Sequence, residues 1–66
     1  MPFIIRHKTG TVLGVYGSAL EDMARASLAS APAGSELFTV KALWADWPST
    51  GQIFPTIPKT WKRIKT

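Results

Sequence analysis

Apolar, β-favouring residues open the chain in two runs, Phe3-Ile4-Ile5-Arg6-His7 and Thr11-Val12-Leu13-Gly14-Val15-Tyr16, separated by Lys8-Thr9-Gly10. This spacing predicts a β-hairpin over Phe3 to Tyr16 with a three-residue loop, Gly10 taking the left-handed conformation that strains other residues. His7 then faces Thr11, Ile5 faces Leu13 and Phe3 faces Val15. One side of the hairpin carries Phe3, Ile5, Leu13 and Val15, and the other carries Ile4, Arg6, Val12, Gly14 and Tyr16. Neither side is cleanly polar.

Gly17 interrupts the second run, and Ser18-Ala19-Leu20-Glu21 has the form of a capping box. Leu20, Met23, Ala24, Ser27, Leu28 and Ala31 recur at helical spacing and predict a helix to about Ala31, stopped by Pro32 and Gly34. Its stripe is rich in small residues, which suits close packing on a sheet, with Met23 as a core filler. Glu36 to about Trp44 alternates again, Phe38, Val40, Ala42 and Trp44 forming a better core face than Leu37, Thr39, Lys41 and Leu43. A right-handed crossover through the helix places this third strand beside the first. The expected fold is α+β, a two-layer β-β-α-β domain with a three-stranded antiparallel sheet in the order 2-1-3 and one helix on one face.

Past Ala45 the pattern breaks. Pro48, Pro55 and Pro58, with Ser49-Thr50-Gly51, predict an irregular Pro-rich tail, so the chain divides into a domain over 1–46 and a tail over 47–66. Ile53, Phe54, Ile57, Trp61 and Ile64 are too apolar for a disordered tail, which should pack on the domain or on a partner. From Pro58 onward two readings stay open: a short helix with Ile57, Trp61 and Ile64 on one side, or an extended strand.

Composition narrows the classes. At 66 residues the chain is near the lower limit for folding on one core, and without Cys it has no disulfide to help. One His and four carboxylates make a structural metal an unfavourable expectation, and no cofactor is expected. The net charge is +4, and its placement is uneven. Charges over 1–46 cancel, whereas the tail holds Lys59, Lys62, Arg63 and Lys65 with no acid. A basic end of this kind points to an acidic partner surface or to nucleic acid. The apolar run at Met1–Ile5 is too short for a signal peptide, and no stretch approaches the roughly 20 apolar residues that span a bilayer. A soluble, cytoplasmic protein with no membrane association is therefore expected.

Candidate chemistry is sparse. Glu21 and Asp22 are accounted for by helix initiation, His7 by an exposed position beside the hairpin turn, and Gly10, Gly14 and Gly17 do not form a phosphate loop. No enzyme is expected. Binding is the better expectation, and it has two candidate surfaces. The second sheet face, with Tyr16, Arg6 and Lys41 among its residues, is left over by a single helix and must be covered by the tail, by a second copy in a homodimer, or by a partner. Around the tail, Trp44, Trp47 and Trp61 interleave with Lys59, Lys62, Arg63 and Lys65. Rings and cations so mixed suit either a protein interface or stacking on bases with neutralised phosphates.

Residues 3–43, from the hairpin Ile4-Ile5-Arg6-His7-Lys8-Thr9-Gly10-Thr11-Val12-Leu13-Gly14 through Tyr16-Gly17-Ser18 into the helix and return strand, resemble in layout a recurrent design among very small phage and mobile-element proteins. The T7-type inhibitors of host RNA polymerase and some anti-CRISPR proteins look like this. The resemblance is of pattern and carries over no functional residue. It departs in charge, since the polymerase inhibitors use acidic character and this tail is basic. It implies a stoichiometric binding protein without enzymatic activity. Together with the aromatics and the basic tail, the expected role is a phage-type inhibitor that binds a host protein or nucleoprotein complex in the host cytoplasm. The alternative is a nucleic-acid-binding accessory protein that uses the aromatic and basic tail.

Overall fold

A computed structural model describes residues 1–65, Trp44 through its backbone alone. It contains β1 (Phe3–Arg6), β2 (Val12–Tyr16), α1 (Glu21–Ala29), β3 (Glu36–Val40) and β4 (Trp61–Ile64). The four described strands form one antiparallel sheet in the order β2-β1-β3-β4, with α1 packed on one face. The order 2-1-3 is thus present, but the sheet has a fourth strand. The irregular appendage expected after Asp46 is corrected accordingly, since its end is built into the sheet. The free edge of β3 carries backbone groups that need partners, and an extended Trp61–Ile64 supplies them where a helix would not.

The hairpin turn forms as its residues predict. His7 N–H donates to Thr11 at 2.9 Å, Gly10 N–H donates to His7 at 2.8 Å, and Gly10 has φ +97°. Beyond the turn the register slips. Arg6 faces Val12, but Ile5 faces Gly14, Ile4 faces Val15 and Phe3 faces Tyr16, leaving Leu13 as the extra residue of a bulge. The slip exchanges faces. Leu13 is 38% exposed rather than in the core, Val15 joins the face away from the helix, and Tyr16 joins the helix side. Gly14 is the physical cause that the residues offer. Tyr16 lies back over it so closely that a Cβ there would sit 2.9 Å from the Tyr16 hydroxyl. That hydroxyl donates to Ser27 Oγ of α1 at 2.9 Å.

The third strand is also turned over relative to expectation. Leu37 faces Ile5 and lies under the helix, whereas Phe38 faces Ile4 and, with Val40, lies on the opposite side. Both faces are buried, so the bulkier set went to the face where the tail supplies aromatic partners. The helix is shorter than its stripe. Ser18–Leu20 winds as a 3-10 turn, α1 begins at Glu21, and no capping side chain bonds either start. In place of the capping box, the Glu21 carboxylate accepts from Arg25 one turn on, at 2.9 and 2.8 Å. Ala24, Leu28 and Ala31 pack on the sheet, but Leu20 and Met23 are exposed, so Met23 fills no core.

The two faces hold separate clusters of buried residues. Under α1 lie Phe3, Ile5, Ala24 and Leu37, flanked by Tyr16, Leu28, Ala31 and Ile64. On the other side lie Ile4, Val12, Phe38, Val40 and Trp61, flanked by Val15, Ala42 and Phe54. Among the described residues, no second helix or sheet covers that side. A strap does. From η-type turn residues Trp44–Asp46 the chain runs to the far edge of the sheet. There Val12 N–H donates to Gln52, Gly51 N–H to Val12 and Phe54 N–H to Gly10, each at 2.8 Å. The chain then returns beneath Arg6 to become β4. Of the three covers expected for the second face, the tail, a second copy or a partner, the tail is the one that packs there.

Candidate functional site

Arg6 anchors the strap from inside. It is only 8% exposed, and its guanidinium donates to the Phe54 carbonyl at 3.0 and 2.7 Å and to the Pro55 carbonyl at 3.4 Å. A charged group at this depth persists because carbonyls satisfy its donors. The rings complete the closure. Trp61, 8% exposed, stands 5.5 Å from Phe38 and 4.7 Å from Phe54 between ring centres, both tilted by more than 50°.

These placements sort the candidate residues. Trp61 and Arg6 are interior, and Tyr16 is half-buried with its hydroxyl engaged by Ser27. Trp47 is half-buried, with its ring beside Gly17. Trp44 was a further candidate, and its side chain lies outside the described residues. Lys41, Lys59, Lys62, Arg63 and Lys65 are exposed. Arg63 pairs with Glu36 through a 2.7 Å contact, an ion pair that its neighbours in the chain do not foretell. Among the described residues no ion pair involves Lys41, Lys59, Lys62 or Lys65.

Where the strap leaves β3 and re-enters as β4, it does not seal completely. A cleft of about 470 Å³ opens between Val40, Ala42, Pro48, Phe54, Pro58 and Trp61. Lys41 and Asp46 line it with opposite charges, and Leu43 of the lining is 78% exposed. Its apolar walls can seat a hydrophobic side chain, and Lys41 stands ready for an acidic neighbour. The prolines that form it were legible only as breakers, because folding alone brings Pro48 and Pro58 to one rim. Lys41 is the shared member of cleft and basic surface, since its N–H donates to Thr60, the residue before β4.

Other candidate chemistry is engaged structurally. His7 is half-buried rather than exposed, and its ring nitrogens lie 3.1 Å from Thr9 Oγ1 and 3.2 Å from the Ala33 carbonyl, tying the hairpin turn to the loop before β3. Among the described residues no group of His, Asp or Glu has the arrangement to hold a metal ion, and no helix is long and apolar enough to cross a membrane. In comparisons with known proteins, no family model matches the chain, and neither a curated protein nor a solved structure matches it.

Proposed function

We propose that the chain is a small non-enzymatic binding protein that engages an acidic surface of a host protein complex stoichiometrically. It would act in the host cytoplasm, as an inhibitor of the phage type that it resembles in layout. One observation carries the reading. The tail spends its aromatic Trp61 and Phe54 on its own core, while Lys41, Lys59, Lys62 and Lys65 stay exposed without an ion pair among the described residues, Lys41 at an apolar cleft. Exposed cations together with an apolar socket favour an acidic protein surface with a hydrophobic anchor.

The same four lysines also favour a second reading, binding of nucleic acid through phosphates. That reading has lost its principal stacking ring, since Trp61 is enclosed. Co-purification from a bacterial lysate with tagged wild type and a Lys59/Lys62/Lys65→Glu variant tests the first reading. A partner at near-stoichiometric yield that the variant fails to retain is expected, and equal recovery by both would sink it. Fluorescence anisotropy with DNA and RNA at about 50 and 200 mM salt tests the second, because phosphate contacts weaken steeply over that range.

A further inference from the structure

The two edges of the sheet are treated differently by the chain. Along β2, the outer backbone groups near the turn are taken by the strap, Val12 N–H and C=O bonding Gln52 and Gly51 while Gly10 C=O accepts from Phe54. Along β4, β3 is the sole neighbour in the described sheet. The direction of its backbone groups follows from the ladder. Lys41 N–H donates to Thr60 C=O, and Val40 N–H points the other way, to Pro2 of the β1 side. Alternation along an antiparallel pair then turns Lys62 and Ile64 toward β3, opposite Thr39 and Leu37, and turns Arg63 outward. Arg63 N–H and C=O, with the Trp61 C=O, form a short row of outward groups that no described residue bonds, while the Trp61 N–H is occupied by Pro58.

We infer that this outer edge of β4 accepts an extended acidic segment of the partner as a fifth strand. The inference rests on the reading of the chain as a protein-binding module and names what it binds. Backbone bonds to Arg63 fix such a segment in register, as in other cases of strand addition. Lys59, Lys62 and Lys65 decide its charge, and the cleft at the Thr60 end provides a seat for one apolar residue. The same cations disfavour a second copy on this edge, because pairing β4 with itself sets like charges against each other across the new ladder. An acidic strand meets the opposite situation, its carboxylates lying across from cations.

The test uses the full chain and a synthetic peptide of roughly nine residues alternating glutamate and valine, long enough to span β4. Two further peptides carry N-methyl groups at every second residue, one in each phase, which deletes the donors on one side of the strand and leaves the charge intact. The unmodified peptide should bind at low salt and slow hydrogen exchange at the Arg63 amide. One methylated phase should lose about tenfold or more in affinity while the other keeps it, the loss expected from removing more than one backbone bond. On the protein side, Arg63→Pro and Arg63→Ala both lose the guanidinium and its Glu36 ion pair. The proline, tolerable on an edge strand, also lacks the outward N–H, so it should bind more weakly than Arg63→Ala, which keeps that donor. No binding of the unmodified peptide, or equal binding of both methylated phases, overturns strand addition. Equal peptide affinity for Arg63→Pro and Arg63→Ala also overturns it. These results leave the broader reading standing, which fails only if the triple lysine variant retains the co-purifying partner.

Discussion

The two faces of the sheet are buried by opposite strategies. Under α1 the cover is thin and regular, with Ala24, Leu28 and Ala31 letting the helix sit close and a Tyr16–Ser27 hydrogen bond joining it to the sheet. On the other face the cover is an irregular strap, held by three large rings and a buried guanidinium. A helix satisfies its own backbone and needs only apolar contact to dock. A strap must find partners for each backbone group, which is why Arg6 reaches Phe54 and why residues 51–54 pair with the β2 edge. The strap also arrives from far along the sequence, so its closure carries the larger loop entropy. Stability should therefore be concentrated where the chain is least regular.

Three substitutions sharpen this contrast. Trp61→Ala removes the ring that both Phe38 and Phe54 contact, and a loss of about 3–5 kcal/mol is expected for a buried Trp, enough to unfold much of a 66-residue domain. Chemical denaturation checks it, and a loss below the effect of a mutation on the helix face would break the comparison. The result also means that Trp61→Ala cannot serve as a contact mutation. Arg6→Met keeps the apolar stem but strips the donors from the Phe54 carbonyl, for an expected loss of about 1–3 kcal/mol. Amide exchange should then accelerate at Gly51 and Phe54, whose N–H groups bond the β2 edge, ahead of those in α1. Tyr16→Phe deletes the Tyr16–Ser27 tie on the helix side and should cost about 0.5–1.5 kcal/mol, read from the same denaturation experiment. A larger effect there than at Arg6 would reverse the ranking.

Local chemistry determined a good deal. The turn at Lys8-Thr9-Gly10, the helix between Gly17 and Pro32, the return strand and the antiparallel order of the first three strands follow from periodicity, a left-handed glycine and breakers acting within a few residues. The concentration of cations after Trp47 is equally local, and the exposed lysines of the candidate surface were legible from it.

Tertiary structure decided what depends on which face a residue meets. The bulge at Leu13 moved Val15 and Tyr16 to opposite sides, and the turned-over β3 sent Phe38 and Val40 away from the helix, because a single-residue slip inverts every side chain beyond it. It likewise decided that the aromatic part of the tail is core while the cationic part is surface. Composition shows both kinds of residue together, and only the pairing of β4 with β3 puts Trp61 inside and leaves Lys62 outside.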